Sequence, residues 1–235
     1  MEVQIAAAKI NKYASSESGD TLEATERPNG GLSIVLADGQ TSGRGAKSVS
    51  MMVVRKVISL LAEGVRDGAA ARAASDTLYT EKSGKVSCTL NIASIDLETN
   101  TMVLSRNNPS PIFICHGEQV DCIGVKSIPL GVNRGIRPVI TEVELEPGLI
   151  IVMYTDGLTH AGKRRGHPMD VCNAIQAMLE EQETTPQELA DALLAHAVEL
   201  DEGRPADDIS VVVIKVSPRD TSDQVRRMNV RLPIR

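Results

Sequence analysis

The chain has 235 residues, 42% of them hydrophobic but only 2% aromatic, and a formal net charge of −6 with a pI near 5.3. That length suits one compact domain or at most two small ones, with an aliphatic core of Val, Ile, Leu, Met and Ala. An acidic chain with few rings offers neither the basic face nor the stacking platforms of a nucleic-acid binder, and no run of about 18 apolar residues is present to span a membrane.

In chain order, residues 2–10 alternate as a strand does, and the polar stretch SSESGD follows. Residues 31–37 form a β-rich run that stops at Asp38-Gly39. After the turn QTSGRG, Val49, Val53, Val57, Leu60 and Leu61 recur at steps of three and four, predicting a helix over 42–65, and an Ala-rich helix covers 67–80. CTLNIASIDLETNTMVLSRN reads as a strand pair around Glu98-Thr99-Asn100, and PIFICHGEQVDCIG as another around His116-Gly117-Glu118. VITEVELEPG predicts a further strand, and LIIVMYT (149–155) one buried on both faces. Two helices follow. Thr185-Pro186-Gln187-Glu188 opens the second, with Thr185 as cap, Pro186 in the first turn and Glu188 returning the capping bond. ISVVVIKV (209–216) is the last strand, Pro218 ends it, and 219–235 is expected to be a short helix or a loose tail.

Hairpin signals dominate and βαβ alternation is absent. The expected fold is α+β: an antiparallel β-sandwich flanked by helix pairs, in α-β-β-α layers. A domain over 1–216 with a tail over 217–235 follows. Met1 to Tyr13 is acidic at Glu2 and lacks a long apolar core, so it does not read as a signal peptide. Cys88, Cys115, Cys122 and Cys172 have no CxxC spacing and no His pair to complete a zinc pattern, and so read as reduced thiols of a cytoplasmic protein.

Four aspartates sit where apolar strands begin or end. Asp38 ends SIVLAD, Asp156 ends LIIVMYTD, and Asp207 and Asp208 open DDISVVVIKV. Asp20, in Ser18-Gly19-Asp20, is placed in the polar stretch before the strand that leads to Asp38. Asp-Gly alone is also a common hairpin turn, but a helix after Asp38 argues against a hairpin there. If these strand ends meet at one edge, carboxylates converge and repel unless cations intervene. Mg²⁺ and Mn²⁺ suit such oxygen ligands.

At these residues the chain resembles a known family. ADGQTSGRGA (37–46), YTDGLTHAG (154–162) and RPADDISVVVIKV (204–216) look like the motifs of metal-dependent type 2C serine/threonine phosphatases, nearest the branch named for stage II sporulation protein E. NPSPIFICHGEQV, SIPLGV and VELEPGLIIVMYTDGL match that branch in order, and SGD at 18–20 matches its first acidic motif. The resemblance covers about residues 1–216. It implies that Asp38 bridges two ions, Mn²⁺ or Mg²⁺, with help from the Gly39 carbonyl. It further implies that Asp156 and Asp207 complete one metal shell, and that Asp20 reaches the other, directly or through water. Asp207 is the expected ligand of its pair, with Asp208 capping or stiffening the turn. A water activated by two ions would then attack phosphorus in line, with no covalent phosphoenzyme.

Two departures stand out. Many type 2C enzymes read Asp-Gly-His-Gly where this chain reads Asp38-Gly39-Gln40-Thr41, leaving the proton donor unassigned. The usual Ala-Gly-x-Pro is Arg106-Asn107-Asn108-Pro109. Arg44 and Lys47, near the start of the first helix, could attract a phosphate or be a solvated turn, and His160, after the second metal motif, either approaches the site or, as the favoured reading, is a surface or capping residue.

The resemblance implies a stand-alone cytoplasmic bacterial phosphatase acting on a phosphorylated regulator, such as an anti-sigma-factor antagonist or a stress-signalling scaffold. Nucleic acid and membrane are not expected as partners. A catalytically weak phosphoprotein-binding module is the alternative, and hydrolysis of a small phosphoester or nucleic acid a third reading, disfavoured by charge and composition.

Overall fold

The structure is a computed structural model that describes residues 1–117, 119–181, 184–219 and 224–233. Strands β1 (Glu2–Ile10), β2 (Asp20–Glu26) and β3 (Leu32–Gly39) lead into helices α1 (Gly43–Ala62) and α2 (Asp67–Lys82). Six strands follow: β4 (Cys88–Asp96), β5 (Thr101–Asn107), β6 (Ile112–His116), β7 (Gln119–Ile123), β8 (Val139–Glu144) and β9 (Leu149–Tyr154). A one-turn helix α3 (Gly157–His160), then α4 (Val171–Glu181) and α5 (Pro186–Leu200), precede the closing strand β10 (Ile209–Ser217).

The strands form two antiparallel sheets, ordered β1-β10-β9-β6-β7 and β2-β3-β4-β5-β8. Side-chain parity makes four layers of them. In β9, Leu149, Ile151 and Met153 face the other sheet, whereas Ile150, Val152 and Tyr154 face α4 and α5. In β3, Ile34 and Leu36 face inward, whereas Val35 and Ala37 meet Val49, Val53 and Val57 of α1. Both faces of the central strands are buried, so their sequences run apolar without alternation. Each aliphatic side chain so buried contributes about 1.5–3 kcal/mol, and three stacked cores let the chain do without aromatics. Phe113 and Tyr154 form a stacked ring pair, 6.0 Å apart.

The sandwich with flanking helix pairs agrees with the sequence. At α5, Thr185 accepts from the Glu188 amide and the Glu188 side chain accepts from the Thr185 amide, closing the expected capping box. One element differs. Asp20 is not in a loop but opens β2, and its Cα lies opposite Asp38 in the β2–β3 register. DTLEATE is a polar edge strand, and its few apolar residues gave no strand signal. The helix expected over 42–65 ends at Ala62, where Gly64, at φ +86°, turns the chain toward α2. Residues 224–233 carry no helix, while 220–223 and 234–235, and Glu118 of the second expected turn, lie outside the described residues.

Candidate metal centre

The register brings the acidic strand ends to one edge of the sandwich. β9 and β10 pair Tyr154 with Val211, and the Thr155 amide bonds the Ser210 carbonyl at 3.0 Å, so Asp156 and Asp207 leave adjacent strands side by side. Asp38 arrives there from the end of β3 in the other sheet. Asp38, Gly39, Asp156 and Asp207 line one open cavity of about 740 Å³, together with Lys12, His160 and the wall Asn108–Pro111.

Asp20 lies behind this cavity and does not line it. Fully buried, its Oδ2 accepts from Thr155 Oγ1 at 2.9 Å and Ser210 Oγ at 2.6 Å, tying β2 to the other sheet. Its Oδ1 accepts from no N–H or hydroxyl donor among the described residues, and its carboxyl is hydrogen-bonded with that of Asp38. The Asp20 carbonyl is held by two ammonium groups, Lys9 at 2.6 Å and Lys47 at 2.7 Å. Lys47 therefore points at β2 and not at the cavity, and Arg44 is 93% exposed beside Glu17. Arg44 thus follows the solvated-turn reading, and Lys47 is engaged within the fold. The lysine that does line the cavity, Lys12, lies in a stretch without periodicity and gave no sequence signal.

The paired aspartates divide their work. Asp208 turns inward, its Oδ1 accepting from the Lys12 amide at 2.9 Å and its Oδ2 from the Gly19 amide at 2.8 Å. Asp207 faces the cavity and accepts only from the Asp208 amide, at 3.0 Å, among the described residues. One donor atom each from Asp156, His160 and Asp207 lie within 4.8 Å of one another.

This convergence is electrostatically costly. Burial, then the carboxylates of Asp20, Asp156 and Asp207, push the Asp38 carboxyl up to about 9. Burial raises Asp156 as well, against the pull of His160, and raises Asp20 against its two hydroxyl donors. Carboxylates from two sheets crowded around one open cleft are the environment a hard divalent cation neutralises. The donor set fits Mg²⁺ or Mn²⁺.

The glycines after Asp38 and Asp156 serve close approach and not a turn. Neither has positive φ. A Cβ on Gly39 would stand 2.0 Å from the Ala46 carbonyl oxygen of α1, and one on Gly157 would stand 2.0 Å from that of Asp208. Gly157→Ala should therefore push the Asp207-Asp208 turn off α3. We expect a loss of about 2–3 kcal/mol, read as a fall of about 5–10 °C in thermal midpoint.

The departures acquire physical accounts. Gln40 lines the cavity with its side-chain oxygen turned to Ser87: its Oε1 accepts from the Ser87 amide at 2.8 Å, and the Gln40 backbone amide donates to the Ser87 carbonyl at 3.0 Å. Thr41, where many type 2C enzymes carry glycine, sits at φ +81°, a conformation that costs a β-branched residue about 1–3 kcal/mol. Arg106 is buried, and its guanidinium donates to the carbonyls of Asn108, Ser110 and Val125. Asn108 in turn donates to the Tyr154 carbonyl at 3.2 Å. Arg106 thus braces the cavity wall from inside the protein. His160 meets both expectations: its side chain is partly exposed, and it lines the cavity with its Nδ1 3.9 Å from Asp156 Oδ2. Its spacing of four from Asp156 was the available signal.

The profile of the family Stage II sporulation protein E (SpoIIE) matches residues 28–217. Stage II sporulation protein E of Bacillus subtilis (strain 168) is 23% identical over 215 residues, which cover 91% of this chain and 26% of that protein. The chain thus spans about a quarter of that relative's length. The solved phosphatase domain of B. subtilis SpoIIE, of type PP2C and carrying a fragment of its regulatory domain, superposes with a TM-score of 0.80 at 23% identity, covering 92% of this chain and 63% of that one. RsbX, solved in complex with magnesium, superposes with a TM-score of 0.68 at 16% identity, covering 92% of this chain and 96% of that one. At these identities the structural likeness establishes a common fold.

Proposed function

The chain belongs to the stage II sporulation protein E family, and from that membership and the site's geometry we propose that it is a divalent-metal-dependent phosphatase of phosphoserine and phosphothreonine in a bacterial regulatory protein. One observation carries the reading: Asp38, Asp156 and Asp207 converge from two sheets on one open cavity, with Lys12 at its wall. Asp38, the Gly39 carbonyl, Asp156 and Asp207 would hold two ions, Mn²⁺ or Mg²⁺, and Asp20, behind Asp38, would reach the shell of the second directly or through water. The magnesium bound by RsbX is in keeping with this choice. When bound, the ions supply Lewis acidity for attack of water on phosphorus and neutralise the phosphate oxygens. Lys12, fixed through its amide by Asp208, draws the phosphate dianion into an otherwise acidic mouth. Asp208 and Gly157 hold the Asp207 carboxylate in place, and Arg106 holds the opposite wall.

Residues 1–216 form the catalytic unit in this reading and 217–235 a tail. The protein is cytoplasmic, and its substrate is a phosphorylated member of a partner-switching pathway, an anti-sigma-factor antagonist or a stress-signalling scaffold. No described helix is long and apolar enough to cross a membrane. Gln40 itself favours a second reading, a phosphoprotein-binding module with weak catalysis, because a neutral amide gives up no proton at the place where many type 2C enzymes carry histidine. A screen with Mn²⁺ over phosphoserine proteins, free nucleotides and oligonucleotides separates these readings. Phosphate should be released from phosphoproteins far faster than from the others. Tight phosphoprotein binding without release would favour the module, and preferential nucleotide cleavage would overturn both.

A further inference from the structure

The loop after β9 adds a donor of a different chemical kind to the carboxylate cluster. Between Asp156 and His160 stands only the single turn α3, and that turn is firmly seated. Leu158 and Ala161 are fully buried, Gly157 packs against the Asp208 carbonyl, and the His160 amide donates to the Asp156 carbonyl at 2.9 Å. The four-residue spacing puts both side chains on one face. The imidazole therefore stands at the cavity, 41% exposed, with Nδ1 3.9 Å from Asp156 Oδ2.

That separation is too long for a hydrogen bond. No hydrogen bond to either ring nitrogen holds the imidazole elsewhere among the described residues. Asp207, entering from β10, completes a trio whose donor atoms lie within 4.8 Å of one another. Bonds of about 2.1 Å to a common ion set octahedral ligands about 3–4.2 Å apart, so small side-chain adjustments bring all three into one shell. Asp38 lines the same cavity and adds a third carboxylate there.

We propose that His160 is a nitrogen ligand to the ion held by Asp156 and Asp207, and that it biases this site toward Mn²⁺-class ions over Mg²⁺. The inference rests on reading the cluster as a metal centre. Mg²⁺ is a hard ion that favours oxygen and holds its waters, whereas imidazole suits the first-row transition ions. An all-oxygen shell discriminates little between Mg²⁺ and Mn²⁺, and one imidazole in the shell strengthens binding of the second alone. The other histidines, His116, His167 and His196, do not line the cavity, so a nitrogen signal from a bound ion has a single histidine source there.

The test is metal binding by the full chain, freed of metal and titrated with Mn²⁺ or Mg²⁺ in a calorimeter, as wild type, His160→Ala and Asp207→Asn. His160→Ala should weaken Mn²⁺ by about tenfold or more and leave Mg²⁺ nearly unchanged. Pulsed electron paramagnetic resonance of bound Mn²⁺ gives a second readout that needs no variant. Chain grown with ¹⁵N-histidine should replace a ¹⁴N coupling by a ¹⁵N one. Mn²⁺ that binds in an Asp207-dependent way without histidine coupling would overturn the proposal and leave the metal centre standing. Mn²⁺ binding that ignores Asp207→Asn, or no binding at all, would overturn the metal-centre reading itself and this proposal with it.

Discussion

Asp38→Asn should abolish phosphate release while making the metal-free chain more stable. The loss of activity is expected to exceed about a hundredfold, since even outer partners of metal ligands cost 10- to 100-fold and Asp38 is one of the residues that would hold the ions. The gain in stability has the opposite origin. In the folded metal-free chain the Asp38 carboxyl is held near 9, against 3.8 as its ordinary value. A carboxyl raised in this way is protonated in the fold and ionised in the unfolded chain between those two values. Its presence therefore lowers stability progressively as the pH rises from about 4 to about 9. Asparagine copies the protonated shape without the cost. The thermal midpoint without metal should rise by about 2–6 °C, by little at pH 5 and by more at pH 8. Excess Mn²⁺ should reverse the order, because only wild type gains the full binding free energy. A metal-free variant less stable than wild type at pH 8 would contradict the electrostatic account.

Arg106→Met should be the most destabilising of the substitutions considered. The arginine is 1% exposed, and among the described residues no carboxylate pairs with it. Its charge is met instead by three carbonyl groups of the cavity wall, at Asn108, Ser110 and Val125. Its own carbonyl accepts from Ser127 Oγ at 2.7 Å. Methionine fills much of the volume but donates nothing, leaving those carbonyls without their donor. Hydrogen bonds to a charged group contribute about 1.5–3 kcal/mol each, and part of that sum offsets the cost of burying the charge. A net loss of about 3–4 kcal/mol is expected, or roughly 8–14 °C in thermal midpoint. Arg106→Lys should not restore stability, because one ammonium cannot reproduce the planar fork. In whatever fraction folds, KM should rise more than kcat falls, since the wall forms the mouth and does not hold the ions. A variant that melts within 2–3 °C of wild type would show that the wall holds itself.

Much of this arrangement was legible because it follows from parity and from strand ends. Uninterrupted apolar runs such as LIIVMYT require burial on both faces, and aspartates at the tips of such runs meet wherever the strands share an edge. The rest depends on pairing and side-chain direction. Asp20 was recognised by its motif, but its strand was not, since DTLEATE is an edge strand with polar residues on one face and pairs with β3 through backbone that carries no compositional mark. Lys12 reaches the cavity only because Asp208 fixes its amide from 196 residues away. Arg106 reads in sequence as one more charged residue at a strand end, and only the fold turns it inward. For His160 the four-residue spacing from Asp156 was visible, but whether it faced water or the cavity depended on α3 being a single seated turn.

The central claim is that the convergent carboxylates form a working metal centre. The most direct measurement is phosphate release from a phosphoserine protein by the full chain, first stripped of metal with a chelator and then resupplied with Mn²⁺, alongside Asp38→Asn. Release that is absent after stripping, returns with Mn²⁺ and stays absent in the variant is the predicted result. Release that persists without metal, or that survives Asp38→Asn, would contradict the account.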